Sequence, residues 1–151
     1  TNHTAFHWAK REKLDNVFFQ VKNKVEILQF LQETHGIHAH EVLFVFDDIL
    51  DLSLAEKAGM RFLIQRKSNP LFTEYCTRHR LCDYVTFSAG NEGAIREISE
   101  LVLDCVGKFE ATIEERIRFD GIYGKFLEEK MQKYTHFKKS DHGALIDVDM
   151  D

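Results

Sequence analysis

Val42-Leu43-Phe44-Val45-Phe46, followed by Asp47-Asp48-Ile49-Leu50-Asp51, is the stretch on which the fold turns. A strand with one wet face alternates apolar and polar residues. This one is apolar at every position, the pattern of a strand buried on both faces in a parallel sheet. The acids come where the strand ends, and ligands of open α/β sheets gather at the carboxyl ends of the strands.

The same unit repeats on either side. Val17–Gln20 reads as a strand, and Asn23–Thr34 as a helix with Val25, Leu28 and Leu31 at helical spacing and His35-Gly36 as its stop. After the acids, Leu52–Ala58 reads as a helix, with Gly59 just past its end where a left-handed residue is favoured. Arg61–Gln65 is the next strand. Asn69-Pro70 opens a helix running to about Arg80, with asparagine as cap and proline in the first turn. Tyr84–Phe87 is a further strand, and Glu92–Val106 is a helix with Ile95, Ile98, Leu101, Val102 and Cys105 on one face. Strands and helices alternating in this way predict an α/β fold, a Rossmann-like three-layer α/β/α parallel sheet. Trp8, Phe18 and Phe19 are expected in its core. Phe109, Ile113, Ile117, Ile122, Phe126, Met131 and Tyr134 then form the stripe of a charged amphipathic helix interrupted near Gly121 and Gly124. That stripe has to be covered, either by the chain's own sheet or by a second subunit in a homo-oligomer.

Composition narrows the function. The 151 residues carry a formal charge of -5, which argues against a nucleic-acid partner. No apolar run approaches the roughly 18 residues of a membrane span, and the amino-terminal residues lack the apolar core of a signal peptide. Cys76, Cys82 and Cys105 are an odd set without zinc spacing, and read as reduced thiols of a cytoplasmic protein. His35, His38 and His40 read as surface loop residues preceding a strand.

Asp47, Asp48 and Asp51 crowd three like charges into five positions. Oxygen ligands at a strand end suit a hard cation such as Mg²⁺. Alternatively, Asp48 or Asp51 caps the helix that follows, or a lysine neutralises the group. Lys24, in the first turn of a helix that follows a strand, can reach the same sheet edge and could neutralise both the acids and a phosphate. A third feature is Ala89-Gly90-Asn91-Glu92-Gly93-Ala94, a strand-to-helix turn. Its glycines allow close backbone approach, and its free N–H groups can meet an anion.

In order and spacing these pieces resemble the haloacid dehalogenase (HAD) superfamily, closest to its small phosphatases of the 3-deoxy-D-manno-octulosonate 8-phosphate type. The resemblance runs from about Ala9 to Lys108. It is carried by Val21-Lys22-Asn23-Lys24, by Glu41-Val42 leading into Phe46-Asp47-Asp48-Ile49-Leu50-Asp51, by Ala58-Gly59, and by Cys82–Thr86 continuing into Ala89–Glu97. It implies a Mg²⁺-dependent phosphomonoesterase that acts on a small phosphorylated metabolite, such as a sugar-acid phosphate, through an aspartyl-phosphate. Asp47 and Asp48 would hold the metal, and Lys24 would steady the phosphoryl group. Asp48 or Asp51 would support metal waters and the lysine, and Gly90, Asn91 and Gly93 would meet the substrate. Thr1, in Thr1-Asn2, would be the phosphate-binding threonine.

The family's nucleophile and general acid form an Asp-x-Asp pair on a first strand ahead of these motifs. The expectation is therefore a HAD-like domain over residues 1–108 without its usual first strand, a helical extension over 109–142 and an acidic strand-like tail over 143–151. That tail, Gly143–Asp151 (GALIDVDMD), repeats the spacing with Asp147/Asp149 or Asp149/Asp151, and would matter as a strand beside Val42–Phe46. Two positions depart from the pattern. Phe46 replaces a glycine, where it would crowd the metal shell, and Asn91-Glu92 replaces a glycine and a basic residue. The alternative reading is a catalytically silent HAD-like module serving oligomerisation or regulation.

Overall fold

The computed structural model describes residues 3–119 and 121–149. Contacts divide the chain into two compact units, Asn23–Lys108 and a second made from Thr1–Lys22 together with Phe109–Asp151.

The continuous unit is built on three parallel strands in the order β2 (Leu43–Phe46), β3 (Met60–Leu63) and β4 (Tyr84–Val85), in the register Phe46↔Leu63 and Leu63↔Val85. Its helices are α2 (Val25–His35), α3 (Leu52–Ala55), α4 (Pro70–Arg78) and α5 (Ala94–Cys105). Partners in a parallel ladder share a face, and successive residues alternate between faces. Phe46, Leu63 and Val85 therefore point one way, where they pack with Ala55 of α3 and Cys76 and Phe72 of α4. Phe62 and Tyr84 point the other way, and the Tyr84 hydroxyl donates to Glu97 of α5 at 2.8 Å. Helices thus cover both faces, the three-layer arrangement that the all-apolar VLFVF run foretells. Leu28 of α2 joins Leu54 and Ala58 in a neighbouring cluster.

Three local expectations change. The helix after the acids is shorter than Leu52–Ala58, because Ile49–Asp51 forms a tight 3₁₀ turn and α3 ends at Ala55. Gly59 is not left-handed. Its N–H donates to the carbonyls of Ala39 and Val42 at 3.0 and 3.1 Å, and a Cβ there would lie 1.8 Å from the His40 carbonyl oxygen. Glycine is required by close backbone packing, not by its dihedral freedom. The Asn69 side chain makes no cap bond. The start of α4 depends instead on Pro70 and on the Asn69 carbonyl, which accepts from Phe72 N–H at 3.1 Å.

The second unit contains α1 (His3–Glu12), β1 (Asn16–Phe19), α6 (Phe109–Arg118), α7 (Gly121–Gln132), β5 (His136–Asp141) and β6 (Ala144–Asp147). Its sheet order is β1-β5-β6, parallel between β1 and β5 and antiparallel in the β5–β6 hairpin. Phe6 packs against Phe19 and Phe137 at ring distances of 5.2 and 5.3 Å. Trp8, expected in the core, is half exposed. The GALIDVDMD segment does form a strand over Ala144–Asp147, and its ladder partner is β5, not Val42–Phe46.

Candidate functional site

The carboxyl ends of β2, β3 and β4 release three loops, Asp47–Asp51, Ile64–Asn69 and Thr86–Gly93. Asp47, Arg66, Lys67, Ser68 and the Ala89–Glu92 turn line an open cleft of about 560 Å³ there. The position agrees with the rule that α/β sheets bind ligands at this edge.

Each of the three acids has a distinct local partner. Asp51 is buried and pairs with the Lys24 ammonium, which is presented in the turn just before α2. Asp48 caps the following turn, its Oδ1 accepting from Leu50 N–H at 3.0 Å. Asp47 pairs with the guanidinium of Arg66. The cap and lysine alternatives are thus each met by one carboxylate, Asp48 and Asp51, while Asp47 pairs with an arginine that neither alternative foresaw. Phe46 is 3% exposed and buried with Ala55, Leu63 and Cys76, so its side chain lies in the core and not among the acids.

Two sets of side-chain hydrogen bonds hold the cleft loops in place. Thr86, 1% exposed, accepts from Gln65 N–H at 3.0 Å through its hydroxyl and donates to the Ser88 carbonyl at 2.7 Å. It thereby joins the loop after β3 to the loop after β4. Glu97, from the first turn of α5, accepts from the N–H groups of Phe87 and Ser88, each at 2.9 Å, and from the Tyr84 hydroxyl. Burial alone would raise its pKa, but these donors outweigh burial and lower it to about 2. Glu92, where a basic residue was expected, turns its carboxylate back to accept from Ala89 N–H at 3.3 Å. Gly93 adopts φ +97°, the left-handed conformation glycine takes at little cost, and launches α5.

Arg66 and Thr86 escape a sequence reading that looks for acids and glycines, and Glu97 escapes one that looks for acids at strand ends. The available signal for Arg66-Lys67 was position, since a basic pair following a strand ends up at the carboxyl edge. Gly90 and Asn91 line the cleft with Asp47, whereas Gly93 is the left-handed residue that precedes α5. Asp147, at the end of β6, pairs with buried Lys138 at 2.6 Å, and Asp149 is exposed beyond the strand. Thr1 and Asp151 lie outside the described residues.

Among the described residues no three His, Cys, Asp or Glu side chains converge on a metal position. Mg²⁺ commonly takes only one or two carboxylates and completes its shell with water and substrate phosphate. Asp47 and Asp48 are oxygen donors at the strand end, and Asp47 already carries a cationic group in Arg66. Asp47 and Asp48 thus supply oxygen donors of the kind a hard divalent ion takes.

No family model matches the chain. Over 88 residues it is 33% identical to the 3-deoxy-D-manno-octulosonate 8-phosphate phosphatases KdsC of Salmonella typhi, Salmonella typhimurium and Escherichia coli strain K12, covering 58% of this chain and 43% of each of those proteins. The chain thus spans less than half the length of these curated relatives. A crystal structure of 3-deoxy-D-manno-octulosonate 8-phosphate phosphatase from Moraxella catarrhalis, in complex with magnesium, phosphate and KDO, matches with a TM-score of 0.62 at 23% identity over 76% of this chain and 62% of that one. The fold is HAD-like, and the sequence resembles these phosphatases over that segment.

Proposed function

We propose that this chain carries part of the machinery of a HAD-type phosphomonoesterase acting on a small sugar-acid phosphate, with Mg²⁺ as cofactor. The observation that carries this reading is the Lys24–Asp51 pair, with the Asp47 cleft on the same unit of a HAD-like fold. Support comes from the KdsC relatives and from the magnesium and phosphate bound by the Moraxella protein.

In this reading Lys24 is a catalytic residue whose ammonium balances charge on the phosphoryl oxygens, where fixed positive charge lowers the barrier to transfer. Asp51 is a positioning residue: buried, it holds the ammonium in one place. Asp47, assisted by Asp48, would hold Mg²⁺, which supplies charge neutralisation at the phosphoryl group when bound. Gly90 and Asn91, which line the same cleft, would present backbone to the sugar-acid part. The attacking aspartate is the part of the chemistry that the Asn23–Lys108 unit does not carry. Asp147 and Asp149 have the spacing of such a pair, but their segment pairs with β5 and not with Val42–Phe46, the placement that role requires. The exposed Ile113, Ile117, Ile122 and Phe126 of α6 and α7 favour self-association, which sedimentation tests directly.

The deciding experiment is phosphate release from a sugar-acid phosphate with and without Mg²⁺. Turnover that requires Mg²⁺ and is lost in Lys24→Met and Asp47→Asn supports the proposal. Absence of turnover even when a segment bearing the family's Asp-x-Asp strand is supplied upstream supports the second reading, a silent HAD-like module, which the Arg66 contact on Asp47 specifically favours.

A further inference from the structure

Arg66 has no role in the chemistry just described, yet it holds the carboxylate that the chemistry needs. We infer that Arg66 is an internal counter-ion that competes with a divalent cation for Asp47, so that binding the ion and releasing Arg66 into the cleft are one event. The inference rests on the reading of Asp47 as a metal ligand.

The juxtaposition follows from the sheet. β2 and β3 are neighbours in the register Phe46↔Leu63, so the loops that leave their carboxyl ends run side by side. Arg66 Nη2 then donates to Asp47 Oδ2. A guanidinium carries its charge at any pH a protein survives, so Arg66 always opposes a second cation at Asp47. Both side chains are partly open to water, 45% for Arg66 and 33% for Asp47. Exposed ion pairs are weak, and a divalent ion can displace this one.

The cleft also gives the displaced group somewhere to go. Lys67, Ser68, Gly90 and Asn91 line the same cleft. Four charged side chains line the space, Asp47 and Glu92 against Arg66 and Lys67, so their charges cancel when no ion is bound. A divalent ion on Asp47 leaves the cleft with two excess positive charges and with Arg66 beside Lys67. The cleft then suits an anionic substrate that carries a phosphate and a second acidic group. Ion first and anion second is the binding order this implies.

The test is Mn²⁺ binding by the whole chain, followed through the paramagnetic resonance signal of the free ion, for wild type, Arg66→Gln, Arg66→Lys and Asp47→Asn. Arg66→Gln should bind Mn²⁺ about two- to fivefold more tightly, the size expected from removing an exposed ion pair. Arg66→Lys, which keeps the charge, should stay near wild type, and Asp47→Asn should bind more weakly. Arg66→Gln binding no tighter than wild type, with Asp47→Asn weakened, overturns the competition while sparing Asp47 as a ligand. Asp47→Asn binding as well as wild type, or no binding by any variant, overturns the metal reading and the inference with it.

Discussion

Asp51 and Lys24 are unequal partners, and the inequality is measurable. Asp51 retains 9% of its side-chain exposure and Lys24 34%. Lys24→Met would strand a buried carboxylate, at a cost of about 1–3 kcal/mol, whereas Asp51→Asn leaves an ammonium that can reach water and should cost less. Urea unfolding of the two variants should show that order. Glu97 gives a prediction in pH. Its pKa is lowered in the folded protein, so its contribution is present above the ordinary carboxylate value and is lost as pH falls toward about 2. The stability gap between wild type and Glu97→Gln should therefore close between about pH 5 and about pH 2, read from denaturant midpoints. At this scale the sequence told which residues gather at the strand ends but not how they pair. Three acids in a row look equivalent on paper. Only the fold assigns one to an ammonium, one to a backbone N–H and one to a guanidinium from another loop.

The elements were more legible than their contacts. VLFVF announced a parallel strand because burial on two faces leaves no polar positions, and β2 pairs in parallel, although only Phe46 is fully buried and Leu43 is exposed. The tight turn at Ile49–Asp51 was less visible, since a 3₁₀ turn and a helical first turn draw on the same residues. Gly59 was misread for a related reason. A glycine after a helix suggests a left-handed cap, while the need here is room for the His40 carbonyl, a long-range fact absent from local pattern. Gly59→Ala should consequently cost about 2 kcal/mol or more even though alanine suits the dihedral, because backbone has to move. A thermal melt of that variant checks it, and an unchanged midpoint would show that the 39–42 turn yields easily.

Across the molecule, the two units make separate claims on the chain. The strand-helix alternation of Asn23–Lys108 is continuous in sequence, and it was readable for that reason. Nothing local announces that Asn16–Phe19 pairs with His136–Lys139, because sequence pattern does not record partners that far apart. Two predictions belong here. A polypeptide of Asn23–Lys108 should fold by itself with a cooperative melt, since its strands and core clusters lie within that span. Ending the chain at His142 removes β6 and the Asp147 partner of Lys138. It should lower the melting temperature of the other unit, at about 4–8 °C for each kcal/mol lost in a unit of this size. An unchanged melt would reduce β6 to a passive appendage.

The β1–β5 ladder has a consequence for biosynthesis. On the ribosome β1 emerges early, and the strand it needs is made only after the whole of Asn23–Lys108. The intervening unit can reach its native state in the meantime, because domains fold as they are completed during synthesis. Until then the VFF segment of β1 stands with unsatisfied backbone and exposed aromatic rings, the kind of surface that holdase chaperones bind. Stalled or truncated products that stop before His136 would be sticky at their beginning while sound in their middle.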